Sequence, residues 1–365
     1  MTPMLDDSAA NWSPEDLSRD RDWVVELDER SQNDLVRSVQ KAFDADRALL
    51  DYTRSDFDLG AAFEPIGRAF DHAKHGRGIG LLRGLPRPAL TEQEFSVLTW
   101  AIGLHFGVAR PQGKTTQYLS AVRNVGVNYR SSAGRGYSSN AELDFHIDGV
   151  DIVALSCFNK AFSGGMSMVS SSIRTHDIVV RERPHLAEVL YQPFYFSRQA
   201  EEAPDEGPFY TNPVFDFRDG RLFGKWNGNR IKSAQNLDGV PKLSSLQRQA
   251  MEFMDETLRR PDVMYTMFLE PGDMQILSSF TTLHSRTEFV DHDDPDQKRA
   301  LFRLWLTPPD AAALPESWKP LFRSVRERTV RGGILGHEYN DVCRAFDLRQ
   351  GSEHAMTVEF STHAV

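Results

Sequence analysis

Cysteine is almost absent: Cys157, in an apolar run, and Cys343, near the end, are the two in 365 residues. Two isolated thiols build neither a disulfide framework nor a zinc cluster, and their scarcity suits a reducing, cytoplasmic setting. Long apolar runs are missing as well. No uninterrupted stretch approaches the roughly 20 residues that a membrane-crossing helix needs, and the polar N-terminus, with Asp6 and Asp7, has no signal-peptide core. There is no excess of positive charge. Lys plus Arg number 42 against 52 Asp plus Glu, a net charge of -10, and the cations are scattered, which argues against a nucleic-acid partner. Gly76, Gly78 and Gly80 suggest a phosphate-binding loop, but the sixth positions from Gly76 and Gly78 are Leu81 and Arg83, so the dinucleotide pattern is incomplete. No repeat is visible. The expectation is a soluble cytoplasmic protein, with no membrane or nucleic-acid partner, acting on a small-molecule substrate; homo-oligomerisation is left open.

What is present is a β-rich chain with helices around it. Leu35, Val39 and Phe43, then Phe63, Ile66 and Phe70, recur at helical spacing, and Thr91 to Glu94 has the form of a capping box opening a helix to about Leu104. Strands are expected over Ile79 to Leu85, Gln117 to Val122, Asp151 to Phe158, Met264 to Leu269, Met274 to Leu277 and Arg299 to Leu306. The aromatic-rich stretch from Tyr191 to Trp226 reads as short strands with core aromatics, turning at Asp219-Gly220 and Asn227-Gly228. Glu270-Pro271-Gly272-Asp273 fits a type II turn closing a hairpin. One catalytic domain is expected over 1–365: a helical N-terminal extension to 78, a β core over 79–333 interrupted by a helix at 244–260, and a tail over 334–365.

Leu143-Asp144-Phe145-His146-Ile147-Asp148-Gly149 carries the strongest chemical signal. Strand periodicity places Asp144, His146 and Asp148 on one face, so a neutral nitrogen donor and an anionic oxygen donor stand side by side, two corners of a metal site. Among eleven histidines, His284 is the best third ligand, on a strand-like Thr281-Thr282-Leu283-His284. His292 repeats the His-x-Asp pattern but sits in an acidic loop without a stiff scaffold. His72, His75, His105, His176, His185, His337 and His354 read as ordinary. On the last strand the same periodicity aligns Arg299, Leu301, Arg303 and Trp305, and guanidinium groups among such apolar neighbours call for an anion. The stretch from Asn128 to Asn140 reads as a loop over the site, with Tyr129, Arg130, Arg135 and Tyr137 facing substrate.

In this order, His-x-Asp, a glycine turn with Ser167, a distant His after Glu-Pro-Gly-Asp and Arg-x-x-x-Arg on a late strand, the chain resembles the iron- and 2-oxoglutarate-dependent dioxygenases, within them the taurine dioxygenase and clavaminate synthase-like group. Leu283-His284-Ser285-Arg286-Thr287 and Arg303-Leu304-Trp305-Leu306 carry the same resemblance. It implies a mainly β fold with flanking helices, a double-stranded β-helix or distorted jelly roll with a cupin-like core. It further implies that His146, Asp148 and His284 bind Fe(II), that Arg303 pairs with the far carboxylate of 2-oxoglutarate, and that Arg299 and Ser167 lie near this cosubstrate. Which arginine dominates stays open. Three ligands on one face leave room for a bidentate 2-oxo acid and for O2 as second cosubstrate. The implied reaction is oxidation, hydroxylation foremost, of a substrate C-H bond with release of succinate and CO2. The alternatives are desaturation, cyclisation or epoxidation at the same iron, or a cupin-like metal-binding protein without 2-oxoglutarate.

Overall fold

Regular alternation of apolar side chains builds two sheets that face each other across the site, antiparallel throughout except for the parallel pairing of the first two strands. A computed structural model describes residues 8–126 and 139–359; the expected substrate-facing residues Tyr129, Arg130, Arg135 and Tyr137 lie outside the described residues. The strands that matter are β1 (Val24–Glu26), β2 (Ile79–Arg83), β3 (Val108–Ala109), β4 (Leu119–Val122), β5 (Ile152–Asn159), β6 (Ser167–Ser171), β7 (Met264–Met267), β8 (Met274–Ser278), β9 (Thr282–Arg286) and β10 (Ala300–Thr307). The larger sheet runs β1-β2-β8-β5-β10-β3, with β4 also pairing to β10; the smaller runs β7-β6-β9.

The two faces of β10 do different work. Ala300, Phe302, Leu304 and Leu306 pack into a core shared with Leu35, Ile66, Leu98 and Ile102 of the covering helices, whereas Leu301 and Trp305 turn toward the smaller sheet. This is the expected alternation. Leu304 and Leu306 are wholly buried, each burial stabilising the fold by roughly 1.5–3 kcal/mol. The covering helix Glu92–Phe106 starts at the Thr91 capping box. It lies so close to β10 that a Cβ on Gly103 would meet Leu304 Cδ2 at 2.3 Å, so a larger residue there would force the Leu304 side chain to move.

Several local expectations are corrected. Glu270-Pro271-Gly272-Asp273 does turn, with Asp273 N donating to Glu270 O at 2.9 Å and Gly272 at φ 93. Yet it closes no hairpin: β7 belongs to the smaller sheet and β8 to the larger. The link from β5 to β6 crosses between sheets in the same way. Asn227-Gly228 is not a hairpin turn; the Asn227 side chain caps helix Gly228–Ala234, since a residue type suited to turns also suits an N-cap. The insertion is larger than the helix at 244–260. Everything from 172 to 258, including helix Ser245–Leu258, stands between β6 and β7 and packs around Phe194, Phe196, Phe215 and Trp226, a core it shares with Met168 and Leu283 of the smaller sheet and with Trp318 and Phe322. The N-terminal region adds β1 and β2 to the larger sheet, and the tail folds into helix Asp341–Glu353, whose Cys343 and Phe346 join the main core. No helix among the described residues is long and apolar enough to cross a membrane.

Candidate active site

The inward faces of the two sheets and the insertion enclose a cavity of about 170 Å3. His284 is placed by β9, an edge strand of the smaller sheet, where it pairs with Val169 of β6. The segment around His146 is not a regular strand as expected, but is held by isolated antiparallel bridges from His146 to Asn227 and to His284; in the latter His146 N donates to His284 O and His284 N to His146 O, each at 3.0 Å. Phe145 and Ile147 anchor it in the insertion core, while Leu143 joins the cavity lining instead of sharing their role. This pairing brings the two imidazoles side by side, tilted at 49° with ring centroids 4.3 Å apart. His146 Nδ1 lies 2.9 Å from Asp144 O. Donation there leaves Nε2 as the free electron pair, turned to the cavity.

Asp148 follows as the chain leaves the bridge. Its Oδ2 accepts from Trp305 Nε1 at 3.0 Å and lies 3.8 Å from His284 Nε2, while Oδ1 lies 4.0 Å from His146 Nε2. The donor atoms of His146, Asp148 and His284 all lie within 4.8 Å of one another, the one such His/Cys/Asp/Glu group among the described residues. Their charge states suit a metal. Burial, reinforced by His146, pushes His284 down to about 3, and burial lowers His146 too, so both imidazoles are neutral donors. Burial pushes Asp148 upward, but Arg303, the two histidines and the Trp305 bond outweigh it and hold it below the usual carboxylate range. Two neutral nitrogens and one carboxylate on one side of a cavity fit Fe(II) with open positions.

The structure brings the other expected residues to the same cavity. Ser167 Oγ donates to Gln275 Oε1 of the opposite sheet at 3.1 Å. Arg303 Nε donates to Gln112 Oε1 at 2.7 Å, and its Nη1 stands 3.6 Å from Asp148 Oδ1. Arg299 differs. It is buried, its Nη1 has no hydrogen-bond partner among the described residues, and its guanidinium lies 5.0 Å from the Phe289 ring. Burial pulls it down to about 10, with only Cys157 and Asp291 opposing, so it remains charged at neutral pH. Gly165, at φ 71, makes room: a Cβ there would come 3.3 Å from Arg299 Nε. The decoy His292 packs beside Phe162, away from this cavity.

Sequence reasoning gave no role to Trp305, Gln112, Gln275 or Arg286. Trp305 could have been found, because it shares the inward face with Arg303. Arg286 Nη2 donates to Ser139 O at 3.0 Å and also to Ala141 O, tying down the approach to His146. Nothing in the sequence marks these tertiary contacts.

Two facing sheets around a buried His-x-Asp and distal His define a double-stranded β-helix metalloenzyme. Residues 38–305 match the family described as taurine catabolism dioxygenase TauD, TfdA family, and the chain belongs to it. It is thus a non-haem Fe(II)- and 2-oxoglutarate-dependent dioxygenase, and the resemblance and the fold class read from its sequence hold. The chain is 28% identical to FR-33289 synthase of Streptomyces rubellomurinus over 313 residues, 84% of this chain and 91% of the relative. Its fold is similar to that of asparagine oxygenase in complex with Fe(II), 2S,3S-3-hydroxyasparagine and succinate, with TM-score 0.63, 17% identity and coverage of 78% and 93% of the two chains. It is also similar to the non-haem iron oxygenase OrfP in complex with Fe and alpha-ketoglutaric acid, with TM-score 0.56, 13% identity and coverage of 83% and 99%.

Proposed function

We propose that this dioxygenase hydroxylates a C-H bond of a small polar molecule of amino-acid size, with His146, Asp148 and His284 holding the iron. The reading rests on one observation above the others: three convergent, correctly charged donors share a cavity with a buried arginine whose Nη1 has no hydrogen-bond partner among the described residues. Bound iron supplies the oxidising chemistry, coupled to cleavage of 2-oxoglutarate into succinate and CO2. The chain's own residues bind and orient. Of the two arginines, we assign the far carboxylate to Arg299, because its Nη1 has no hydrogen-bond partner among the described residues while Arg303 is committed to Gln112 and leans on Asp148. A guanidinium facing a carboxylate forms paired, charge-assisted bonds. Ser167 and Gln275 are the neutral polar groups at this end, and Leu155, Leu269 and Leu301 exclude water between it and the ligands. Arg303 and Trp305 hold the Asp148 carboxylate in place.

The size of the substrate is argued from the cavity and from relatives seen with hydroxyasparagine and hydroxyarginine. The buried free cysteines support a cytoplasmic site of action. The test is turnover under heavy-oxygen gas with Fe(II), 2-oxoglutarate and a panel of amino acids and their derivatives. One labelled atom is expected in succinate and one in a hydroxylated product. Labelled succinate with an unsaturated or cyclised product would replace hydroxylation by desaturation or ring closure, and iron binding without any succinate would favour the cupin-like alternative.

A further inference from the structure

The cavity wall opposite the sheets carries an uncompensated cation. Lys225 follows the hairpin of strands Phe215–Arg218 and Arg221–Gly224, with its backbone N donating to Val214 O at 2.7 Å. Trp226 next to it is wholly buried in the insertion core, while Lys225 and Asn227, on either side, both line the cavity. Asn227 pairs with His146 and Trp226 O accepts from Ile147 N at 2.9 Å, so Lys225 is fixed beside the segment that carries the first iron ligand.

Lys225 is 2% exposed. Its Nζ lies 4.7 Å from the Phe196 ring centroid and 5.6 Å from that of Tyr210. The neighbouring cations are neutralised: Arg230 meets Glu201 at 2.7 Å and Arg198 meets Glu206 at 3.3 Å. No carboxylate among the described residues lies within 4.0 Å of the Lys225 ammonium. Burying a charge without a counter-ion is costly, and aromatic faces compensate it only in part. Burial accordingly holds Lys225 below the ordinary lysine value, against Tyr210 and, beyond ion-pair distance, Asp148. An arriving anion would supply the missing partner, and 2-oxoglutarate does not serve, since its far carboxylate goes to Arg299 on the facing sheet.

We propose that Lys225 is the substrate-recognising residue of this site, and that the primary substrate carries an oxyanion, a carboxylate or a phosphate-type group, which the ammonium receives. This rests on the reading of the cavity as the Fe(II) and 2-oxoglutarate site.

The experiment uses the anaerobic protein loaded with Fe(II) and 2-oxoglutarate, with acetate and inorganic phosphate as separate probes. Proton and phosphorus relaxation enhancement by the paramagnetic iron is read for the parent, Lys225→Met and Lys225→Arg. The iron-to-2-oxo-acid charge-transfer band reports the loaded centre independently. Saturable binding of at least one probe is expected in the parent, weakened by about tenfold or more in Lys225→Met and restored in Lys225→Arg. Acetate alone would assign a carboxylate, phosphate alone a phosphate-type group. Equal binding in Lys225→Met, or no saturable binding of either probe while the band is present, overturns the inference. Absence of the band in the parent overturns the iron reading itself, and this one with it.

Discussion

The two walls of the cavity are built differently. His284, Ser167, Gln275 and Arg299 stand on or beside strands of two facing sheets: ladders on both flanks hold Ser167 and Gln275, a ladder and the His146 bridge hold His284, and Arg299 directly precedes β10. Arg198, Tyr210, Lys225 and Arg230 stand on the segment inserted between β6 and β7, on or beside hairpins and a seven-residue helix packed around Phe194 and Trp226. The difference suggests a division of labour: iron and cosubstrate, whose geometry tolerates little error, are held by the stiff scaffold, while substrate is read by an addition to it.

That division is broken most directly by Asp148→Ala. It removes the anionic ligand and should abolish iron-dependent turnover; retained succinate formation would place the metal elsewhere. Arg299→Leu should raise the half-saturating 2-oxoglutarate concentration by about 10- to 100-fold, from the loss of charge-assisted bonds, with iron affinity unchanged. Arg303→Leu should move the cosubstrate requirement less, and the reverse order would return the carboxylate to Arg303. Trp305→Phe frees Asp148 Oδ2 and should weaken iron about tenfold, measured by competition with a chelator. Phe194→Ala sharpens the comparison from the other side. Emptying that wholly buried position should cost about 3–5 kcal/mol of stability, yet leave 2-oxoglutarate binding by the folded protein unmoved.

The histidines predict a pH dependence. An exposed imidazole would take up a proton, and release iron, as pH falls through its ordinary value of 6.5. Here burial keeps His284 neutral down to about 3 and lowers His146 as well, so iron affinity should stay level through that value. The apoprotein should lose stability over the same fall, because the unfolded state binds protons that the folded state refuses. Chelator competition and thermal unfolding across the range check the two halves.

Much of the metal end is legible in the sequence because its determinants are local. Period-two alternation turns Arg299, Leu301, Arg303 and Trp305 inward, and His-x-Asp puts two donors within reach of one ion. What is not legible depends on pairing. Glu270-Pro271-Gly272-Asp273 announces a turn, but nothing within it says whether the strands on either side pair or part to different sheets. Lys225 is one cation among 42 until the insertion folds; its burial and its lack of a carboxylate are properties of packing. The helix at Asp341–Glu353 shows only a weak stripe in sequence, because it buries polar Asp347 against Arg110, at 2.7 Å, as well as Phe346.

The most direct test of the central claim is an anaerobic titration of the protein with Fe(II) and 2-oxoglutarate, following the visible charge-transfer band of an iron-bound 2-oxo acid, with His284→Ala as control. The account predicts a saturable band in the parent and none in the variant. Iron binding without a band in the parent, or an equal band in His284→Ala, would contradict it.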